Sequence, residues 1–213
     1  RKPAAPIAEV CREVLPSGVV IVKYADGSLK TLLRDGNICE YAANANEPLA
    51  GSWVSTNSAG LRMGTNAAGE AFYVAAVAVA SSTDPVTHHI VTTRADGTLV
   101  VSRANGSRLV TFADGTMIDS SAEAVKSGER GEVKISCEGY PPIKMNLRLK
   151  EVEIDGLDGT LLKAEMAREG AEAGVKLHHL DGTVLKVAAD GMVDLYPAPL
   201  AWIPNRPADE RSG

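Results

Sequence analysis

Runs of alternating β-branched or apolar and polar residues recur along the chain, broken at regular intervals by Asp-Gly or Asn-Gly. The clearest stretch is Val86–Asp119, where Asp96-Gly97, Asn105-Gly106 and Asp114-Gly115 fall nine residues apart. Each pair is followed by Thr or Ser and then by apolar residues. Asp-Gly and Asn-Gly favour two-residue type I′ turns, whose central residues both need φ > 0. Two turn residues plus a seven-residue strand give the nine-residue period. Thr98–Ala104 and Ser107–Ala113 are therefore predicted to be consecutive strands of one antiparallel meander.

The same period links Asp26-Gly27 to Asp35-Gly36 and Asp181-Gly182 to Asp190-Gly191. A two-residue turn at Asp26-Gly27 pairs 24 with 29 and 23 with 30. One face then carries Val20, Val22, Tyr24, Leu29, Thr31 and Leu33, and Lys23 lies opposite Lys30. In Val86–Asp119 the same rule collects Ile90, Leu99, Val101, Val110, Phe112 and Met117 on one face, with Arg103 opposite Arg108. Neither face is cleanly polar, which predicts a sheet with both faces partly against protein.

Between these blocks the character changes. Ala42–Ala80 contains only Glu47, Arg62 and Glu70 as charged residues. Its apolar run Phe72–Ala80 reads as one strand buried on both faces. Ala68-Gly69 keeps the nine-residue spacing from Ala59-Gly60 without the Asp. Ile7–Leu15 has a weak helical pattern that Pro16 and Gly18 would stop, inside an otherwise extended lead-in. Ser120–Gly131 reads as a polar loop, and Pro197–Gly213 as a Pro-rich tail with Trp202 as its anchor. The predicted fold is all-β: an extended antiparallel meander of Asp-Gly hairpins, curled or split into two packed sheets, with little helix. Its divisions are a lead-in at 1–18, β-meander regions at 19–120 and 121–196, and a tail at 197–213. Roughly fifteen strands joined by tight turns cannot stay flat and isolated.

Composition narrows the partners. A net charge of -5 and a pI near 5.4 argue against nucleic acid or an anionic membrane as the main partner. The three cysteines are far apart and not in Cys-x-x-Cys spacing, which fits a reducing compartment. The first ten residues lack the apolar stretch of a signal peptide. The longest apolar run, nine residues, is half of what a membrane helix needs.

The repeated Asp-Gly-Thr/Ser could suggest calcium, because β-roll repeats share the period. Those repeats need several acidic and glycine positions per unit, and here one Asp-Gly per unit points to turn chemistry. His88-His89 and His178-His179 are neighbours whose side chains diverge on a strand, so neither pair is expected to chelate a metal. Cys11, Cys39 and Cys137 read as packing residues, and no nucleophile elbow, P-loop or dinucleotide fingerprint occurs. No catalytic, cofactor-binding or metal residue is therefore nominated, and no enzyme activity or cofactor is expected. Lys23, Lys30, Arg34, Arg94, Arg103 and Arg108 sit near strand ends and read as a solvated rim, or as contacts for an acidic surface such as a tubulin wall.

Three segments, VVIVKYADGSLKTLLRDGNICEY, VVSRANGSRLVTFADGTMI and CEGYPPIKMN followed by DGLDGT, resemble the C-terminal β-rich region of the sperm-associated antigen 17 family. The most specific of them is Cys137–Pro142, between two Asp-Gly blocks. Family members are far longer, and the resemblance covers most of Val19–Tyr196. It implies a non-enzymatic scaffold in a central-apparatus projection of the motile cilium or flagellum, in the cytoplasmic cytoskeleton. The implied partners are other central-pair proteins, calmodulin and microtubule-associated neighbours, within a large hetero-complex. One alternative is a centriolar-type single-layer β-sheet module that clamps a Pro-rich peptide, though Ala42–Ala80 lacks the regular charge alternation expected there. Membrane-occupation hairpin repeats need Tyr-x-Gly units, which are missing. A β-sandwich hydrolase or carbohydrate-binding domain needs a concave aromatic site, and Trp53, Tyr73 and Trp202 look scattered.

Overall fold

The computed structural model describes residues 7–43, 49–156, 158–165 and 174–197. Among them are nineteen strands and one short helix, forming two antiparallel sheets. The first sheet runs in chain order through β1 (Glu9–Val14), β2 (Val20–Tyr24), β3 (Leu29–Leu32), β4 (Ile38–Tyr41), β5 (Trp53–Thr56), β6 (Arg62–Thr65) and β7 (Ala71–Val74). The second begins with β8 (Val79–Thr83), β9 (Ile90–Arg94), β10 (Leu99–Ser102), β11 (Arg108–Thr111) and β12 (Met117–Ser120). It continues after α1 (Ala122–Ser127) through β13 (Glu132–Cys137), β14 (Tyr140–Asn146) and β15 (Glu151–Asp155). Its last strands are β16 (Leu161–Glu165), β17 (Gly174–His178), β18 (Val184–Ala188) and β19 (Val193–Tyr196). Within each sheet every strand lies beside its sequence neighbour, and of the two expected outcomes, curling or splitting, the meander has split between β7 and β8 into two packed sheets.

The turns are not type I′. The Gly27 N–H donates to the Tyr24 carbonyl and the Tyr24 N–H to the Ser28 carbonyl, both at 3.0 Å. Gly27 has φ 85°, whereas Asp26 is not among the positive-φ residues. This is a three-residue loop, a type I turn closed by a left-handed glycine. The same pair of bonds recurs at Gly36, Gly97, Gly106, Gly115, Gly182 and Gly191. In eight loops the Asp or Asn side chain accepts the N–H two residues on, from Ser28, Asn37, Thr98, Ser107, Thr116, Thr160, Thr183 and Met192. That bond explains why Asp-Gly-Thr/Ser recurs: the carboxylate oxygens are used on backbone donors. Where Asp is missing, Asn57 and Asn66 reach forward to the Leu61 and Glu70 N–H groups instead.

Three loop residues leave six, not seven, for the strand, and this shifts the register by one. Val22 pairs with Lys30 and Lys23 with Leu29, so Lys23 does not face Lys30. Ser102, not Arg103, faces Arg108. Lys23 and Lys30 find Glu13 and Glu40 at 2.6 and 3.3 Å.

With the corrected register, apolar residues fall into rows. On the inner face of the second sheet one row runs without interruption through Val100, Val110, Ile118, Ile135, Ile143, Ile154, Leu162, Leu177, Leu185 and Leu195. A second row, two residues along the strands, runs through Val133, Met145, Val152, Ala164, Val175, Val187 and Val193. The first sheet supplies Val20, Val22, Leu32 and Ile38, which pack on Val100, Val110, Phe112, Ile118, Val133 and Met145 to form the core. Each fully buried side chain of this size contributes about 1.5–3 kcal/mol.

Three arginines stitch the sheets together, two of them, Arg34 and Arg94, against the expectation of a solvated rim. Arg94, 2 % exposed, uses all five donors. It grips Asp96 through Nε and Nη2 at 3.2 and 2.7 Å, reaches the Thr98 hydroxyl at 2.9 Å, and holds the Gly36 and Asn57 carbonyls of two first-sheet turns at 2.8 Å each. Arg34, in the β3–β4 turn, donates to the Gly128 carbonyl at 2.9 Å, at the C-terminal end of α1. Arg12, on β1, bridges to Asp114 at 3.0 Å and donates to Thr116 and to Cys137 Sγ.

Other expectations are corrected. Ile7–Leu15 contains strand β1 rather than a helix. The polar Ser120–Gly131 contains α1, with Ser121 accepting the Ala124 N–H at its start and Gly128 left-handed at its end. Phe72–Ala80 is not one doubly buried strand: it divides between β7 and the largely exposed β8, where the chain passes from one sheet to the other. The tail beyond Pro197 lies outside the described residues.

Arg94→Met leaves two carbonyls and Asp96 without their donor and is expected to destabilise by about 3–5 kcal/mol in urea unfolding. A loss below about 1 kcal/mol removes the stitch from the account. Gly106→Val forces a β-branched residue to φ 85° and lowers the melting temperature; no change contradicts the left-handed loop position. At Asp96 and Asp114 burial pushes the carboxyl up, but the bonds from Thr98 and Thr116 and the nearby Arg94 and Arg12 outweigh it and hold both below the usual range. A depressed carboxyl stabilises the fold above its unfolded pKa and loses that contribution as pH falls through the folded one. Stability is thus expected to hold at neutral pH and to decline below about pH 4, less steeply in Asp96→Asn; identical acid limbs for the two proteins overturn the assignment.

Candidate functional site

The two sheets have opposite outer faces. On the second, Lys134, Lys144, Glu153, Lys163, Lys176, Lys186 and Asp194 form one cross-strand row. Three of its five lysines are in ion pairs along or across it: Lys144 with Asp155 at 2.7 Å, Lys163 with Glu153 at 2.5 Å and Lys176 with Glu165 at 2.7 Å. A groove of about 460 Å³ on this face is lined by Arg103, Asp119, Glu132, Lys134 and Lys144. Arg103 and Asp119 bind each other there through both guanidinium nitrogens, at 2.7 and 3.0 Å. Lysine predominates, with Lys134 opposite Lys144 and Lys163, Lys176 and Lys186 in succession, so this is a charged, solvated face.

The outer face of the first sheet is different. One row pairs Leu29 with Tyr41 and Tyr41 with Trp53; the next pairs Cys39 with Ser55, Ser55 with Met63 and Met63 with Tyr73. Tyr41 and Trp53 rings lie 5.2 Å apart at 39°. Trp53 is 40 %, Met63 48 % and Tyr73 89 % exposed. Trp53 is diagonal to Met63, within reach for large side chains. Tyr41, Trp53, Met63 and Tyr73 therefore make an oblique apolar track across four consecutive strands. Three of the nine aromatic residues of the chain are on it.

The track is uncharged. Cys39 lies beside it, and burial, then the nearby Glu40, push its thiol up, so it stays protonated and behaves as a small apolar group. The Ser55 hydroxyl is occupied by the Met63 carbonyl at 3.3 Å. Next to the track a groove of about 330 Å³ is lined by Leu61, Met63, Tyr73, Val74 and Ala76 together with the polar Asn37, Ser55, Thr56 and Asn57 and the charged Arg62. β4, β5 and β6 are paired on both edges, so their backbone groups are already used. The face offers apolar and aromatic surface and few free hydrogen-bonding groups.

The sequence kept Trp53 and Tyr73 apart, because their relation depends on the β5–β6 and β6–β7 registers, which the turn type sets. The usable signal was the alternation Trp53-Val54-Ser55-Thr56 against Leu61-Arg62-Met63, read with three-residue loops. Phe72, from the same strand as Tyr73, turns inward over Gly64, where an added Cβ would come within 2.2 Å of its ring.

The remaining sequence candidates do not converge. His88, at φ 56°, and His89 lie in the β8–β9 connection rather than on a strand, and His179 Nδ1 contacts Asp181 at 3.1 Å. Cys11, Cys39 and Cys137 are free. Among the described residues no group of three or more His, Cys, Asp or Glu is placed to hold a metal ion. Among the described residues no helix is long and apolar enough to cross a membrane.

No protein-family model and no curated protein matches the chain. Among solved structures it is similar to a mutant TCP10 domain of Danio rerio CPAP, 17% identical over 88% of this chain and 89% of that one, with a TM-score of 0.42. It is similar to the G-box domain of the microcephaly protein CPAP, 16% identical over 89% and 99%, TM-score 0.42. A third is the Danio rerio TCP10 domain in complex with a peptide of STIL, 17% identical over 88% of each chain, TM-score 0.34. Likeness at these levels assigns no functional residue here.

A double-mutant cycle of Tyr41→Ala and Trp53→Ala is expected to give a coupling of about 0.5–1.5 kcal/mol by urea unfolding. Additive losses would separate the two rings energetically.

Proposed function

We propose that the chain is a non-enzymatic protein-interaction module that binds an extended, Pro-rich peptide across the outer face of its first sheet. The observation that carries this reading is the exposed, uncharged Tyr41–Trp53–Met63–Tyr73 track. A sheet interior has no free backbone groups to pair with a ligand strand. The ligand best suited to it is one whose own backbone needs no pairing, and a polyproline II segment has that property. Three strand spacings of about 4.8 Å and one two-residue step make a track of about 16 Å, or roughly five residues at 3.1 Å each. This corresponds to the centriolar-type alternative among the sequence readings, and it agrees in kind with the peptide-bound TCP10 domain.

The test is fluorescence polarisation with labelled oligoproline peptides and with Gly/Ser peptides of the same length. Binding is expected for the Pro-rich set, weakened about tenfold or more by Trp53→Ala and by Tyr73→Ser. Tyr73→Ser should leave the melting temperature unchanged, because its ring is almost fully in solvent. Equal affinity of wild type and both variants overturns the site.

The finer address, a central-apparatus projection of motile cilia, is supported by the resemblance of three sequence segments. Salt extraction of isolated axonemes tests it separately. Cofractionation with central-pair proteins supports it; absence from axonemes removes that address and leaves peptide binding to its own experiment.

A further inference from the structure

Two neighbouring polar groups on the inner face of the second sheet are buried without a hydrogen-bond partner. Ser120 is 1 % exposed, yet its hydroxyl bonds nothing, and neither does Arg108 Nε. The two residues face each other across β11 and β12. They share the parity of Val110 and Ile118, which pack in the core, so both point toward the first sheet. Buried hydroxyl and guanidinium groups are normally satisfied, so two adjacent orphans point to a partner from outside the chain.

Both residues line a pocket of about 210 Å³ at the seam of the two sheets. The first sheet contributes Arg34 and Asp35 from the β3–β4 turn, and α1 closes one side. Arg34 donates to the Gly128 carbonyl at 2.9 Å and to the Ala124 carbonyl at 3.5 Å, two of its five donors. Burial pulls the Arg34 pKa below its ordinary value, and the charge of Asp35 only partly offsets this. Asp35 is the one carboxylate among the described lining residues, and its Oδ1 accepts the Asn37 N–H at 2.9 Å. Two guanidinium groups against one carboxylate leave the pocket with an excess of positive charge.

The groups that lack partners here are donors, and guanidinium forks with a hydroxyl are the usual donor set for an oxyanion. They come from both sheets rather than from one plane, which suits tetrahedral oxygens better than the flat pair of a carboxylate. The volume corresponds to about seven waters, room for one such ion with a few waters and too little for a peptide segment. The aromatic track lies on the outer face of the first sheet, so this pocket is a separate site.

We propose that the seam pocket binds a small tetrahedral oxyanion of the phosphate class, which bridges Arg34 of the first sheet to Arg108 and Ser120 of the second.

Thermal unfolding of the full chain in sodium phosphate, sulfate, acetate and chloride at matched ionic strength tests this. An anion held only by the folded state raises the melting temperature. At about fiftyfold the dissociation constant, phosphate and sulfate are expected to raise it by about 5 °C over chloride. Titration calorimetry should count one phosphate per chain. Arg108→Gln should abolish the phosphate shift. Ser120→Ala should weaken phosphate binding several-fold yet leave the melting temperature in chloride unchanged or higher, because it deletes a hydroxyl that bonds nothing; it carries the test if Arg108→Gln does not fold. Equal phosphate shifts in wild type and both variants overturn the proposal and reduce the effect to the general exclusion of such salts from protein surface. No difference between phosphate and chloride also overturns it and leaves water to fill the pocket. An acetate shift as large as that of phosphate overturns the phosphate assignment in favour of a carboxylate.

Discussion

The three-residue loop is the constraint on which the rest of this structure depends. Its glycine is held at positive φ and its Asp or Asn side chain is folded onto the N–H two residues ahead. A loop of three with six residues between loops repeats every nine, and it pairs even-numbered with even-numbered residues at Val22 and Lys30 or Val100 and Val110. Because each hairpin adds the same offset, an aliphatic residue at one strand position meets an aliphatic residue on the next. The row from Val100 to Leu195 is this arithmetic carried across ten strands. A loop shorter by one residue would set Val101, not Val100, against Val110 and place inner and outer residues on one face.

Rows alone do not say which sheet packs on which. The apolar core supplies most of the favourable free energy, but it is non-directional. The arginines supply direction. Arg94 ties the β9 end of the second sheet to two turns of the first, Arg34 reaches the end of α1, and Arg12 closes on Asp114. A guanidinium buried without partners would be strongly unfavourable, whereas Arg94 has every donor filled, so it is tolerated only in the one alignment that fills them.

Much of this was legible in the sequence. The Asp-Gly period pointed to the meander and to the scarcity of helix, and left a curled sheet and a split into two packed sheets as alternatives. It did not give the register, because Asp-Gly serves a type I′ turn and a type I turn with a left-handed glycine equally well; what differs is φ at the Asp, which composition does not encode. That single residue decided the fate of Lys23, Lys30, Arg103 and Arg108. Arg94 was read as rim because a charge beside a turn is normally solvated; its burial depends on Gly36 and Asn57, contributed by another sheet. The α1 signals, Ser121 before Glu123 and Gly128 after Lys126, were present but short. The aromatic track was hidden for the same reason as the register: Tyr41, Trp53 and Tyr73 become neighbours only once three pairings are fixed.

The two sheets then divide the surface by physical logic. The second sheet exposes a solvated charged row in which three lysines have carboxylate partners on the same face, so covering it with a partner carries a desolvation cost. The first sheet exposes Trp53, Met63 and Tyr73 with almost no charge between them, and its edge strand β7 reads Ala-Phe-Tyr-Val, with neither the Lys nor the Pro that commonly protects an edge. Exposed aromatics on a sheet held rigid by a core behind it lose little conformational entropy when a ligand settles on them. The face that contributes least to folding is therefore the one with most to gain from binding, and that contrast, rather than any single residue, points to the outer face of the first sheet.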